Sequence, residues 1–471
     1  MSGLSRQELV IVIAMGVGTV IVLAVLGGIV ISSMTPLMQQ QARQTASVPT
    51  DTPRPTIVAF PTWTPEPTAI PQVVPTVELR PLENDSVLDQ VEADVSAARL
   101  LLPGSAVPRW SVPRRYLHAR YGDMLESEGW QTALSSLSTA WAALDFIPPN
   151  TDLTPILRDI YAEQVYEYYD PETGEIYVLH DIDTSAPLGR TAYAHAYDHA
   201  LQDQHFGLVG LGLSVSESFS YDDRLLAING LVEGDAALLQ EHYIATYLTY
   251  PEQVQVEQDL RRLGSSVLHS APRVVSELFQ FPQKAGASFA KALHDSGGWD
   301  AVNAAYASPP VSTEQILHPQ RYLAGDQPVS ILLPSLAHVL GDDWRLAYDG
   351  TAGELLLRLY LENRLGAEEA AVAAEGWGGG RCAVYRNDVA NQSVMLLHVV
   401  WDTAADAREF RDAYVGYADG RFGHAADQAE GGMTCWEGDD VLCVAQAGDV
   451  VIVGLGPDRE TVDKVMAVAI P

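Results

Sequence analysis

Residues Leu9–Ile31 form an uncharged run of 23 residues whose one hydroxyl is Thr19. As a helix it would extend about 34 Å, enough to cross a hydrocarbon layer. Behind it, Val48–Leu82 holds nine prolines and seven threonines, a semi-extended spacer that cannot bury a core. Together they confine the packed protein to the chain beyond residue 83. The run is longer than a signal-peptide core, and its exit Ile31-Ser32-Ser33-Met34 is a poor cleavage site, so it predicts an uncleaved transmembrane helix. Arg6 favours an inside N-terminus, Arg43 opposes it, and the Pro/Thr stalk tips the balance. The expectation is a single-pass cell-membrane protein with an extracytoplasmic C-terminal part.

The chemistry gathers at Ala194-His195-Ala196-Tyr197-Asp198-His199-Ala200-Leu201-Gln202-Asp203-Gln204. Histidines four apart on a helix share one face and can hold one cation. Glu233 comes 34 residues after His199, in Glu233-Gly234-Asp235-Ala236, inside Leu231–Tyr247, which reads as a second amphipathic helix. A Glu from a second helix completes a His2Glu metal set. In HExxH the residue after the first His is the Glu that serves as general base; here it is Ala196.

Asp198 is the alternative base. At about 100° per residue, Ala196 lies about 80° to one side of the metal direction and Asp198 about 80° to the other. His-Ala-Tyr-Asp-His thus also fits an inverted HxxEH with Asp for Glu, although Asp is one methylene shorter; otherwise Asp198 stands behind the ligands or faces solvent.

These segments, with Ser312-Thr313-Glu314-Gln315-Ile316-Leu317-His318-Pro319 and Tyr322, resemble a family of bacterial membrane-anchored metallopeptidases of the gluzincin type. Its members carry HExxH followed by Ala-Leu-Gln-Asp-Gln, then a Glu-Gly-Asp-Ala helix, then Thr-Glu-Gln-Ile-Leu-His-Pro. The resemblance runs from about Val87 to the C-terminus. It implies that His195, His199 and Glu233 are zinc ligands and that His318 or Tyr322 stabilises an oxyanion. It also implies that strand Glu175–Leu179, ahead of the His helix, offers a sheet edge to extended substrate, the alternative being an ordinary hairpin that covers the core. For His318 the local alternative is a cap on a helix end.

Periodicity predicts an α+β protein. Helices are expected at Ser86–Leu102, Arg114–Ile147, Leu153–Val165, Asp222–Tyr250, Gln253–Ala271, Val275–His294, Gly298–Ala307 and Leu332–Leu365, with a hairpin at Glu167–Leu179. After Gly376-Trp377-Gly378-Gly379-Gly380, strands at Cys382–Tyr385, Ser393–Trp401, Met433–Trp436, Val441–Ala445 and Val450–Gly454 alternate with helices Thr403–Tyr414 and Asp458–Ala469. The expected units are a membrane anchor (1–34), a stalk (35–83), a helical metallopeptidase-like domain (84–375) and a small α+β unit (376–471). Cys435 and Cys443 flank a turn, leaving open either a cross-strand disulfide with Cys382 free or three buried thiols.

With 61 acidic against 28 basic residues, the net charge of −33 excludes nucleic acid as a partner. The residues support three readings of function. The first is a zinc-binding metallopeptidase-like pseudoenzyme, impaired at Ala196 and able to hold a peptide or cell-envelope protein. The second is an active zinc hydrolase using Asp198, or a carboxylate such as Glu217, as base. The third is a binding or assembly domain without metal.

Overall fold

A computed structural model describes residues 79–164, 167–213, 223–262, 266–426, 428–430 and 432–470. The chain builds a helical lobe around a four-stranded sheet, followed by a seven-stranded sheet with a helix on each face.

In the first lobe, α1 (Ser86–Arg99), α2 (Arg114–Leu125), α3 (Glu128–Ala143) and α4 (Leu153–Gln164) precede the hairpin. The sheet is ordered β1-β2-β4-β3, from β1 (Arg80–Pro81), β2 (Arg109–Val112), β3 (Glu167–Asp170) and β4 (Glu175–Leu179). β2 joins β4 in parallel while β3 folds back antiparallel on its other side.

Helix α5 (Pro187–Phe206) starts with proline at its N-terminus and stops at Gly207, which takes the left-handed conformation at φ 71°. Every residue from Thr191 to Gln202 is buried. The helix runs through the centre of the lobe, wrapped by α1, the sheet and α6 (Asp223–Tyr247).

Glycine sets the next contact. α6 crosses α7 (Arg273–Ala307) at Gly230, Gly234 and Gly286. A Cβ on Gly234 would lie 2.1 Å from the Gly286 carbonyl oxygen, and one on Gly286 equally close to that of Gly230. The glycine of Glu233-Gly234-Asp235-Ala236 therefore serves backbone approach. α7 leaves helical geometry at Gly297 and Gly298, where the sequence separates two helices.

Strands β5 (Arg345–Thr351), β6 (Trp377–Asn387), β7 (Gln392–Trp401), β8 (Gln428–Glu430), β9 (Met433–Glu437), β10 (Val441–Ala447) and β11 (Val450–Gly456) form the second sheet, ordered β5-β6-β7-β11-β10-β9-β8. Phe410, Tyr414 and Tyr417 of the helix Ala404–Phe422 cover one face, and Val462, Val465 and Met466 of the helix Arg459–Ala469 the other.

The structure corrects the expected fold class. Among the described residues no helix is long and apolar enough to cross a membrane. The long helices are long because they traverse the core, and they carry charge: α6 alone holds Asp223, Arg224, Glu233, Asp235 and Glu241. The expected transmembrane helix Leu9–Ile31 lies outside the described residues, and the fold is α+β without such an element among them.

Further differences are local. The helical block expected at Leu332–Leu365 contains β5, which draws its stability from distant β6. The second sheet therefore begins at Arg345, and the glycines near Gly376 do not interrupt the chain. Gly379 and Gly380 lie within β6, where a Cβ would meet the carbonyl oxygens of Val329 at 2.5 Å and Ala352 at 2.2 Å. The edge expected at Glu175–Leu179 is interior, because β2 covers the flank that β3 leaves. Substrate cannot add a strand there.

Cys435 and Cys443 face each other across β9 and β10 and are joined by a disulfide. Cys382 is free, its thiol pushed up to about 12 by burial.

Gly234→Ala is expected to cost roughly 1–3 kcal/mol through overpacking. Gly129, with nothing near its Cβ position, should accept alanine without loss. Chemical denaturation of both variants checks the difference.

Candidate metal centre

α5 and α6 lie side by side, so the face carrying His195 and His199 meets the one carrying Glu233. Their donor atoms all lie within 4.8 Å of one another, and all three residues are buried, at 4%, 1% and 0% exposure. The two Nε2 atoms are 3.0 Å apart. Glu233 Oε2 is 3.3 Å from His195 Nε2, and Oε1 is 3.8 Å from His199 Nε2. A cation about 2.1 Å from three donors at tetrahedral angles would set them about 3.4 Å apart. The observed separations bracket that value, and two imidazoles with a carboxylate are a donor set suited to zinc.

Burial pushes His199 down to about 4, with Glu233 opposing, which keeps the ring in the neutral form that ligates. His199 Nδ1 is 2.9 Å from Gln202 Oε1, while Gln202 Nε2 donates to Asp198 Oδ2 at 3.0 Å and to the Val232 carbonyl at 3.1 Å.

Behind this bond lies an ion network. Arg99, fully buried at the end of α1, donates through Nε and Nη2 to both oxygens of Asp235, each at 2.8 Å. Its Nη2 also reaches Asn303 Oδ1 at 2.7 Å, and its Nε lies 3.9 Å from Asp198 Oδ1. Tyr306 donates to Asp235 Oδ2 at 2.7 Å, and Trp299 lies under the guanidinium, 4.3 Å from ring centroid to Cζ. Burial works against the charge on Arg99, but Asp235 and Asp198 outweigh it and hold the group above its ordinary value. Burial and the neighbouring Asp235 push Asp198 well above the usual carboxylate range, against the pull of Arg99.

Of the residues singled out in the sequence, His195, His199 and Glu233 come together, with Asp198 behind His199. Ala196 is buried and offers only a methyl group. His318 Nε2 pairs with Glu354 Oε1 at 2.8 Å, and Tyr322 donates to the Ser308 carbonyl at 2.8 Å. Both side chains thus spend their polar atoms away from the three donors. Glu217 lies outside the described residues.

The segment around His318 is a joint. Ser312 caps the short helix Thr313–Leu317. The amide and hydroxyl of Thr313 donate to Asp223 at 2.9 and 2.5 Å, and its hydroxyl accepts from the Leu355 amide at 3.3 Å. Ile316 fills the space over Gly230. The motif ties the Glu233 helix to the helix Glu354–Leu361, which lies between β5 and β6 of the second sheet.

The sequence model of a domain of unknown function (DUF8575) matches residues 345–466. That stretch contains the second sheet and most of its covering helices, and it excludes the His195, His199 and Glu233 group. No curated protein and no solved structure matches the chain.

Arg99→Met would leave Asp198 and Asp235 facing each other without their cation. The expected loss is about 3–5 kcal/mol, the usual penalty for orphaning a buried charge, measured by urea denaturation.

Proposed function

We propose that this chain is a metallopeptidase-like protein that binds zinc through His195, His199 and Glu233 and is impaired in hydrolysis. The observation that carries the reading is the close approach of two imidazoles and a carboxylate from two buried helices, next to a helix position that holds Ala196. Bound there, zinc would supply a Lewis acid and a cross-link between α5 and α6.

The chain's own residues favour the second role. A general base must reach the water it activates, and a methyl group cannot accept its proton. Asp198 is a weak substitute, since one oxygen accepts from Gln202 and the other faces Arg99. The near-complete burial of the three donors also keeps an extended peptide from them in this conformation. The Cys435–Cys443 disulfide fits an oxidising, extracytoplasmic setting, where the partner we propose is a peptide or an envelope protein.

Elemental analysis of the full chain should find one zinc per molecule, lost in His195→Ala and Glu233→Gln. Losing a general base typically costs about 10²–10⁴-fold in rate, so a mixed-peptide assay should show no turnover in the wild type and a gain in Ala196→Glu. Wild-type turnover abolished by Asp198→Asn would instead establish the active-hydrolase reading.

A further inference from the structure

Gln202 touches both the metal donors and the buried ion network. We propose that it is a positioning residue that locks His199 in the tautomer whose Nε2 lone pair faces the metal, and that Asp198, held by Arg99, locks Gln202. This rests on reading the three donors as a metal site.

The amide can sit only one way round. Its Nε2 donates to Asp198 Oδ2 at 3.0 Å and to the Val232 carbonyl at 3.1 Å. Turning it over would press Oε1 against the Val232 carbonyl, which can only accept and repels it. Oε1 therefore faces His199, 2.9 Å from Nδ1. An amide oxygen can only accept, so Nδ1 carries the proton and Nε2 is bare.

His195 has no such guide. Among the described residues its buried Nδ1 has no hydrogen-bond partner, and its Nε2 lies 3.0 Å from that of His199. In the metal-free chain, His195 can donate from Nε2 to the bare Nε2 of His199. Metal binding then asks a proton shift of His195 and none of His199. The protein has prepared one ligand and left the other adjustable.

This assigns Asp198 a part different from that of a base. It acts through Gln202, and Arg99 gives it a fixed counter-charge at 3.9 Å. Its effect should therefore appear in metal affinity.

The test is zinc affinity of the full chain by chelator competition, with Gln202→Met, Gln202→Glu and Gln204→Ala as variants. Gln202→Met keeps the bulk and removes the acceptor, and should weaken binding about 10–100-fold, the usual effect of losing a ligand's orienting partner. Gln202→Glu still accepts from Nδ1 but turns its second oxygen on the Val232 carbonyl and Asp198, so it should also bind zinc more weakly than wild type. Gln204, which instead holds the Gly104 amide at 2.7 Å, should be silent.

Selective ¹⁵N-histidine NMR of the metal-free wild type gives a second readout that no unfolded variant can obscure. His199, assigned by difference from His199→Gln, should show a protonated Nδ1 and a bare Nε2. Wild-type affinity in a folded Gln202→Met, or a His199 protonated at Nε2, overturns the proposal. A wild-type chain that takes up no zinc sinks the metal reading and this inference with it, a result distinct from zinc binding that ignores Gln202.

Discussion

A guanidinium buried between two carboxylates governs the first lobe. Arg99 comes from α1, Asp198 from α5 and Asp235 from α6, so one ionic contact fixes the relative position of three helices. Desolvating such a group is costly, and the cost is offset only if its hydrogen bonds are met with good geometry. Asp235 takes a paired contact, Asn303 and Tyr306 extend the network and Trp299 stacks beneath it, while Arg99 Nη1 and Asp198 Oδ1 have no hydrogen-bond partner among the described residues. An apolar cluster of similar volume could be as stable, but it would not set the rotation of α5 against α6 so narrowly. That rotation decides whether His195 and His199 look at Glu233 or past it.

Close packing supplies the second constraint. The Gly234–Gly286 contact draws the first part of α7 against α6, and the part beyond the Gly297–Gly298 break carries Asn303 and Tyr306 to the network. The same α6 begins at Asp223, whose carboxylate receives Thr313 and abuts Gly353. A displacement of α6 would therefore be felt at the metal donors, at the ion network and at the joint to the second sheet. Side chains that look independent along the chain share one rigid helix.

What is legible in the sequence depends on how local the cause is. Two histidines four apart announce a shared helix face, and the glycine pair at Gly297–Gly298 announces a break, because both depend on near neighbours. β2 and β5 escape notice because each takes its hydrogen bonds from a strand far along the chain. The misplaced sheet edge has the same origin, since only the parallel insertion of β2 makes β4 interior. Arg99 did leave a trace. It continues the buried stripe Leu88, Val91, Val95 at helical spacing, and a charge on an apolar stripe calls for a buried partner. Gln202 and Asp235 stand inside the two helix motifs, but their roles depend on which helices meet, and spacing does not carry that.

The absence of a carboxylate at position 196 need not loosen this arrangement. The groups that aim the three donors are Gln202, Asp198, Arg99, Asp235 and the glycines of the α6–α7 crossing, and none of them bonds to the side chain of residue 196. A small side chain there also removes a charge that a buried helix would have to accommodate, since burial without a partner penalises any carboxylate. Ligand geometry and water activation are thus physically separable in this fold: the first belongs to the helix crossing, the second to one substitutable position. On the reading proposed above, a chain can lose the second and keep the first, and a metal bound there would act as a clasp between two central helices.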